Sequence, residues 1–375
     1  MTQRAVPKHG GDRRALAARA GCAPGELLDF SANINPLGMP PAARRALIES
    51  VDALADYPDP ACTDLCAAIA AALGVLPAQV LPGNGAEQLI WWLPRILGAR
   101  RVLVSPPCYL DYARAALVWG LAVLRVPLRA EQGFELDVER LTALARTGDL
   151  VWIGQPNNPT GRIIAADALR RAAAARPGVW WAVDEAFIDF ADGAASAVGF
   201  GLDNVVVVRS MTKFFALPGL RLGYAVLAPG LASAARGLLP DWSVSTPAQR
   251  VGVALLTDPA RHDFAERTRR LIRTERALLA AGLRALGASV LDSAANYLLL
   301  RLPEAAAAGR EVADRLLVQH RIAVRTYGTE ADLDEQFLRV AVRAADDNRR
   351  LLAALGDVLA TGASREGLST RVGGA

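Results

Sequence analysis

Between residues 62 and 210 the sequence alternates helical patterns with short runs of β-branched and apolar residues. Because a helix can carry the chain back to the start of a sheet, such alternation predicts α/β units around a mostly parallel sheet. The predicted helices are 63–73, 86–98, 109–119, 138–146 and 165–175, and the predicted strands are 101–105, 122–126, 149–154, 179–184 and 204–209. With 375 residues, of which 52% are hydrophobic, the chain can bury a large core, which excludes a disordered chain or a disulfide-stapled miniprotein.

The pattern changes beyond residue 247, where a long charged helix at 259–286 leads into a smaller α+β region. We therefore predict a large domain at 42–255 and a small domain formed by residues 1–41 and 256–360. Residues 1–40 are rich in Asn, Pro and Gly, which indicates extended chain and turns. The other predicted elements are a helix at 41–54, strands at 288–292, 296–302, 322–325 and 337–342, and a flexible tail at 361–375.

The charge pattern gives no sign of a nucleic-acid or membrane partner. The net charge is +4, but the basic residues are scattered among acidic ones, which is typical of solvated helix faces. No apolar run approaches the roughly 20 residues that span a bilayer, and the N-terminus lacks the apolar core of a signal peptide. The four cysteines lack CxxC spacing and there are only three histidines. We therefore expect a reduced, cytoplasmic protein without a metal site.

Lys213 is unusual because only two of the 42 basic residues are lysines, the other being Lys8. Arginine supplies positive charge but not an amine that can lose its proton, so a retained lysine suggests a need for that amine; composition drift explains the count equally well. Lys213 follows the apolar run VVVVRS, where burial would lower the pKa of its amine and let it form a Schiff base with an aldehyde. Ser210, Thr212 and Arg221 could hold a dianionic phosphate nearby. An aldehyde and a phosphate are the groups of pyridoxal 5′-phosphate.

Residues elsewhere in the chain suit the remaining requirements of that cofactor. Asp184 ends the strand WWAVD and could keep the ring nitrogen protonated. Asn158 follows a predicted strand, where loops of a parallel sheet converge, and could donate to the 3′-oxygen. Candidates for the phosphate and for the ring face are the helix start at Gly85, Ala86 and Glu87 and the aromatic ring of Tyr109. Each residue alone is also typical of an ordinary turn, cap or core position, so the prediction rests on their combination.

The segments GNGAEQ, PNNPTG, DEAF and SMTKFFALPGLRLGY together resemble the fold type I, class I/II aminotransferase superfamily of pyridoxal-phosphate enzymes, over most of the chain. The resemblance implies a large domain with a mostly parallel seven-stranded sheet and a smaller α+β domain. It implies that Lys213 binds the cofactor covalently, that Asp184 pairs with the ring nitrogen, and that Asn158 donates to the 3′-oxygen. The residues implied for the cofactor phosphate are Ser210, Arg221 and the backbone of Gly85, Ala86 and Glu87.

Two further positions follow from the same resemblance. Tyr57, in ADYPDP, resembles a tyrosine that reaches the cofactor phosphate of the neighbouring subunit, so a homodimer is implied. Phe187 stands where many members of the superfamily have a tyrosine whose hydroxyl touches the 3′-oxygen. This chain lacks that hydrogen bond, and Asn158 is expected to carry more of the interaction.

The ends of the chain resemble one branch of the superfamily. The strings DFSANINPLG, LPDWSVS, SAANYLLLR and FLRVAVR are similar to L-threonine-O-3-phosphate decarboxylases of cobalamin biosynthesis, and histidinol-phosphate aminotransferases are the alternative. The first branch implies a phosphorylated amino acid as substrate and its decarboxylation to (R)-1-amino-2-propanol O-2-phosphate. The residues implied for substrate binding are Arg325 and Arg339 for its anionic groups, Asn158, and His9, Ala32 and Asn33 as a cover over the site.

Overall fold

The computed structural model describes residues 10–369. The strands are β1 (Leu28–Asp29), β2 (Val80–Asn84), β3 (Arg101–Val104), β4 (Ala122–Arg125), β5 (Asp149–Gly154), β6 (Trp180–Asp184), β7 (Val205–Ser210), β8 (Leu222–Val226), β9 (Ser289–Val290), β10 (Tyr297–Arg301), β11 (Ile322–Ala323), β12 (Arg325–Thr326) and β13 (Phe337–Ala341). The helices are α1 (Arg13–Ala20), α2 (Pro41–Glu49), α3 (Thr63–Leu73), α4 (Gly85–Ile96), α5 (Asp111–Val118), α6 (Val138–Leu144), α7 (Ala166–Ala175), α8 (Met211–Phe214), α9 (Pro229–Arg236), α10 (Thr246–Thr257), α11 (Arg261–Ala285), α12 (Gly309–His320) and α13 (Ala345–Ser369).

The chain divides into two compact units. The larger comprises Leu37–Asn158 and Arg162–Arg269. The smaller comprises the described residues up to Pro36, the short segment Pro159–Gly161 and the chain from Arg270 onward. The sequence prediction placed the large domain at 42–255, so the observed unit is wider at both ends.

The larger unit contains a seven-stranded sheet in the order β2-β8-β7-β6-β5-β3-β4. Strands β3 to β7 run parallel to one another, and β8 is antiparallel to both of its neighbours. The central strands β6 and β7 are buried almost throughout, as the runs WWAVD and VVVVRS require in a sheet covered on both faces. The predicted α/β class with a mostly parallel sheet is confirmed. Because the parallel strands end at one edge, the residues that follow β5, β6 and β7 come together there.

The smaller unit contains a four-stranded antiparallel sheet, β12-β13-β10-β9, and a parallel pair, β1 with β11. The single strand predicted at 322–325 is wrong, because the chain changes partner within it: Ile322–Ala323 pairs with β1, and Arg325–Thr326 pairs with β13. The expectation of irregular chain up to residue 40 is also wrong in part. Helix α1 forms there because Asp12 accepts from the N–H of Ala15 at one end and Gly21 adopts the left-handed conformation at the other.

Other element ends differ from the prediction for local reasons. Helix α2 ends at Glu49 rather than at residue 54. Directly after Glu49, the hydroxyl of Ser50 donates to the carbonyl of Leu47, and a 3₁₀ turn follows at Asp52–Ala55. Helix α13 continues to Ser369, into the predicted flexible tail. Among residues 10–369, no helix combines the length and the apolar character that crossing a membrane requires.

Candidate active site

The carboxyl ends of β5, β6 and β7, together with the start of α4, surround a cavity in the larger unit. Most of the residues predicted to bind a cofactor lie on its wall: Ala86, Glu87, Tyr109, Asn158, Asp184, Ser210, Lys213 and Arg221. Gly85 begins α4 directly before Ala86. Phe187, the position without the expected tyrosine hydroxyl, lines the same cavity.

Asp184 ends β6 as a buried carboxylate with two hydrogen-bond donors. The hydroxyl of Tyr112 donates to Oδ2 at 2.7 Å, and the N–H of Ala186 donates to Oδ1 at 2.9 Å. Burial raises the pKa of Asp184, and the hydrogen bond from Tyr112 acts in the opposite direction. Tyr112 is itself held by parallel stacking on Trp152, with ring centroids 4.6 Å apart. The carboxylate is therefore fixed in one orientation at the end of the strand.

Lys213 lies in the short helix α8, directly after β7. Its Nζ donates to Oγ1 of Thr212 at 3.3 Å, and the hydroxyl of Thr212 is 2.8 Å from that of Ser210. Both hydroxyls are buried. The amine and the two hydroxyl groups thus form a hydrogen-bonded polar row on the wall of the cavity.

The start of α4 is shaped to receive an anion. Gly85 has φ +75°, and a Cβ added there would lie 2.7 Å from Nη2 of Arg221, so the guanidinium occupies the space that a side chain would take. A Cβ added at Gly223 on β8 would lie 2.3 Å from the backbone N of Ala86, so the strand passes directly beside the first turn of the helix. The free N–H groups of a helix start, a guanidinium and the hydroxyl of Ser210 fit a dianionic phosphate.

Tyr109 and Glu87 contact each other on the same wall. The hydroxyl of Tyr109 donates to Oε2 of Glu87 at 2.5 Å, and the indole N–H of Trp91 donates to Oε1 at 2.6 Å. The ring of Tyr109 also meets Tyr112 edge to face, with centroids 5.5 Å apart. Burial and the adjacent Glu87 carboxylate both raise the pKa of Tyr109, so its phenol stays protonated.

The predicted substrate residues of the smaller unit form a group of their own. Arg325 and Arg339 stand directly opposite each other on β12 and β13, and both are buried. Nη2 of Arg339 donates to the carbonyl of Ser31 at 2.6 Å, which joins it to the segment that holds Ala32 and the buried Asn33. Two guanidinium groups on directly opposite residues supply forked donors from which an anion can accept. His9, the remaining predicted member, lies outside the described residues.

Tyr57 lies outside the residues that line the cavity and is 80% exposed in the single chain. Its ring packs against that of Trp242, with centroids 4.6 Å apart. Leu54, three positions before Tyr57 in the sequence, is also exposed. An exposed aromatic pair is typical of a surface that another molecule covers.

The sequence prediction did not include Tyr112, and it considered only the backbone of Glu87. The predicted helix 109–119 would place Tyr109 and Tyr112, three positions apart, on one face; the observed helix begins only at Asp111, but the two rings still meet edge to face. Glu87 and Trp91 are four positions apart on α4 and could have been paired by the same rule. What the sequence did not indicate is that the Tyr112 hydroxyl reaches Asp184, because that contact joins a helix to a strand 72 positions away.

A parallel sheet whose carboxyl edge holds a lysine, a buried aspartate and a helix start that can receive a phosphate fits the class of fold type I pyridoxal-phosphate enzymes. The sequence matches the family "Aminotransferase class I and II" over residues 25–355. The chain therefore belongs to this family, and its cofactor is pyridoxal 5′-phosphate, as predicted.

Individual relatives are similar over nearly the whole chain. The threonine-phosphate decarboxylase of Salmonella typhimurium is 38% identical over 94% of this chain and 96% of the relative. The histidinol-phosphate aminotransferase of an Anaeromyxobacter species is 34% identical over 88% and 90%. The adenosylcobalamin biosynthesis bifunctional protein CobDQ of Leptospira interrogans is 32% identical over 94% of this chain, which spans 41% of that longer protein.

Among solved structures, the fold is similar to that of histidinol-phosphate aminotransferase from Sinorhizobium meliloti in complex with pyridoxal-5′-phosphate. The TM-score is 0.85 at 24% identity, over 96% of this chain and 99% of the other. The L-threonine-O-3-phosphate decarboxylase of Porphyromonas gingivalis has a TM-score of 0.79 at 23% identity, over 89% and 100%. At these identities the similarity describes the fold.

Proposed function

We propose that this protein decarboxylates L-threonine O-3-phosphate to (R)-1-amino-2-propanol O-2-phosphate, a step of adenosylcobalamin biosynthesis. The observation that carries the proposal is the 38% identity to a threonine-phosphate decarboxylase over nearly the full length of both chains. The cofactor site and the pair of buried arginines are compatible with it, because the substrate brings an amine, a carboxylate and a phosphate.

The residues of the larger unit are assigned by their positions on the cavity wall. Arg221, Ser210 and the backbone N–H groups at the start of α4 bind the cofactor phosphate. Asn158 donates its side-chain amide to the 3′-oxygen of the ring. Asp184 holds a proton at the ring nitrogen, and Tyr112 keeps the Asp184 carboxylate aimed and ionised.

Pyridoxal 5′-phosphate, when bound, supplies an aldehyde for an amine and a ring that withdraws electrons from Cα of the substrate. Lys213 would hold the cofactor through its amine. The same amine, when it is not engaged with the cofactor, would deliver a proton to Cα of the substrate once the carboxylate has left as carbon dioxide. Thr212, which accepts from Nζ at 3.3 Å, keeps that amine on the cavity wall.

Arg325 and Arg339 bind the anionic groups of the substrate and so select which Cα bond is aligned for cleavage. A guanidinium that held the leaving carboxylate tightly would stabilise the bound substrate more than the neutral carbon dioxide, and it would slow the reaction. We therefore propose that the arginines bind the substrate phosphate more tightly than the carboxylate, because the phosphate remains charged throughout the reaction. Ala32 and Asn33 follow Ser31, whose carbonyl accepts from Arg339, and they complete the proposed set of substrate-binding residues.

We further propose a homodimer in which Tyr57 reaches the cofactor phosphate of the partner subunit. The exposure of Tyr57 in the single chain and its support by Trp242 are consistent with a residue that acts outside its own subunit. The hydrogen bond from Gln88, on α4, to the neighbouring Ser243 at 3.0 Å ties this aromatic pair to the helix that binds phosphate.

Histidinol-phosphate aminotransfer is the second candidate, because a relative with that activity is 34% identical over 88% of this chain. The arginine pair does not separate the two candidates, since the aminotransferase reaction uses a dicarboxylate as its second substrate. The two candidates differ at the Cα–carboxylate bond of an amino-acid substrate, because decarboxylation breaks that bond and aminotransfer leaves it intact.

The deciding experiment incubates the purified holoenzyme with L-threonine O-3-phosphate and measures carbon dioxide and the phosphorylated amino alcohol. A parallel reaction contains histidinol phosphate and 2-oxoglutarate. We expect carbon dioxide in the first reaction in a one-to-one ratio with product. Consumption of 2-oxoglutarate in the second reaction, without carbon dioxide in the first, would refute the decarboxylase assignment and establish the aminotransferase.

A further inference from the structure

We propose that Glu87 is a positioning residue for the cofactor ring and acts through Tyr109. The proposal rests on the proposed function, which takes Tyr109 as the aromatic face against that ring. Both oxygens of the Glu87 carboxylate are used: Oε2 accepts from Tyr109 at 2.5 Å, and Oε1 accepts from Trp91 at 2.6 Å. Glu87 thus connects a residue on the cavity wall to the outer side of helix α4.

This arrangement leaves the ring of Tyr109 little freedom. Glu87 and Trp91 lie one turn apart on α4, so the indole N–H can hold the carboxylate against the helix surface. Trp91 is held in turn by the guanidinium of Arg114, which lies 5.5 Å from its ring centroid. The carboxylate then holds the far end of the phenol, while the edge-to-face contact with Tyr112 holds its side. Hydrogen bonds to a carboxylate are short and strong, so this support is stiff.

The same contact decides the chemical character of Tyr109. Burial and the Glu87 carboxylate both raise the pKa of the phenol, which therefore remains a donor to Glu87 and takes no part in proton transfer. A phenol that donates to an anion has a more electron-rich ring, and such a ring attracts a cationic partner more strongly. Because Asp184 keeps the cofactor ring protonated in the proposed site, the Glu87 side chain strengthens the stacking contact through Tyr109.

An ordinary structural role is the competing interpretation, because an acidic side chain in the first turn stabilises a helix through its dipole. That role predicts that Glu87→Gln lowers the melting temperature and that its effect does not depend on Tyr109. Exposed Glu139, in the first turn of α6, provides a matched control for it. Glu139→Gln removes a helix-terminal charge far along the sequence from any residue of the cavity wall.

The test compares Glu87→Gln, Tyr109→Phe, the double variant and Glu139→Gln as holoenzymes. Two properties are measured: the rate of cofactor release into a competing scavenger, and the circular dichroism of the bound cofactor in the visible region. Each single variant at the site should release cofactor roughly fivefold faster, as expected for the loss of about 1 kcal/mol of hydrogen bonding. The double variant should release it no faster than the faster single variant, and all three should alter the dichroism. Glu139→Gln should match the unaltered enzyme.

Effects that multiply in the double variant, or release rates equal to those of Glu139→Gln, would overturn the role of Glu87. Reduction with borohydride followed by peptide mapping reports on the proposed site separately, because it locates the cofactor on a lysine. Labelling at a residue other than Lys213 would mean that the site assignment itself is wrong. Labelling at Lys213 with unchanged release rates would reject only the role of Glu87.

Discussion

The hydroxyl of Tyr112 donates a 2.7 Å hydrogen bond to Oδ2 of Asp184, and both side chains are buried. Burial favours the protonated form of a carboxyl group, and the hydrogen bond favours the ionised form. The contact with Tyr112 therefore sustains the charge on which the proposed pairing of Asp184 with the cofactor ring depends.

Tyr112→Phe should lower kcat about tenfold, because a hydrogen bond to a buried charge is worth about 1.5 kcal/mol. Loss of the bond raises the pKa of Asp184 further, so the acidic limb of the kcat profile should move to higher pH. Tyr224→Phe, which removes a buried hydroxyl outside the cavity wall, should leave the profile unchanged. Steady-state rates measured across pH test this prediction. An acidic limb that does not shift would mean that Tyr112 does not influence the ionisation of Asp184.

Asp184→Asn should abolish activity and stabilise the cofactor-free protein at neutral pH. The pKa of Asp184 is raised in the folded state by burial, so the ionised carboxylate costs stability once the pH exceeds the ordinary aspartate value. That cost grows as the pH rises to the folded-state pKa and is absent in acid. We expect a melting temperature higher by about 2 °C at neutral pH, or about 1 kcal/mol, and no gain at low pH. Scanning calorimetry at several pH values measures the difference, and a loss of stability at neutral pH would contradict it.

The sequence predicts the carboxyl edge of the parallel sheet well because the information there is local. Apolar runs define β5, β6 and β7, and in a parallel sheet the residues after each run meet at one edge, which brings Asn158, Asp184 and Lys213 together. Strands β2 and β8 are absent from the prediction because VLPGN and LGYAV contain the glycine and proline that indicate turns. They nevertheless pair with each other as antiparallel strands, and β8 passes beside the start of α4, where only glycine fits at position 223.

Helix α1 and the strands β11 and β12 of the smaller unit are harder to predict for a different reason. Helix α1 reads RRALAARA and has no clear apolar stripe, so the caps at its two ends decide where it forms. The partner change between Ala323 and Arg325 depends on tertiary pairing with β1 and β13. No periodicity in the chain encodes such pairings.

Lys213→Ala should lose both the covalent attachment of the cofactor and the activity, because Lys213 carries the alkyl amine of the cavity wall among the residues that the structure describes. Lys213→Arg is the matched control: it keeps the positive charge beside Thr212 but supplies no amine that can lose its proton. Both variants should fail in the same way. Borohydride trapping and turnover provide the measurements, and retained trapping in either variant would show that the amine resides elsewhere.

Arg325→Gln and Arg339→Gln should each raise the KM for L-threonine O-3-phosphate by about tenfold or more, since a charge-assisted hydrogen bond is worth about 1.5–3 kcal/mol. Cofactor release should not change, because neither residue lines the cofactor cavity. Arg301→Gln, on the neighbouring β10 but partly exposed and paired with Asp334, is the control and should leave KM unaltered. Equal KM values for all three variants would remove the arginine pair from the substrate site.

Gly85→Ala should weaken cofactor binding through the displacement of Arg221. Its φ of +75° makes any side chain unfavourable by about 1–2 kcal/mol, and its Cβ would lie 2.7 Å from Nη2 of Arg221. Gly74→Ala carries the same backbone strain at φ +70° with no atom near the new Cβ, so it isolates the steric contribution. The melting temperatures of the two variants should fall alike, whereas only Gly85→Ala should accelerate cofactor release, by roughly tenfold if one charge-assisted contact to phosphate is lost. Equal release rates in the two variants would mean that Arg221 does not bind the cofactor phosphate.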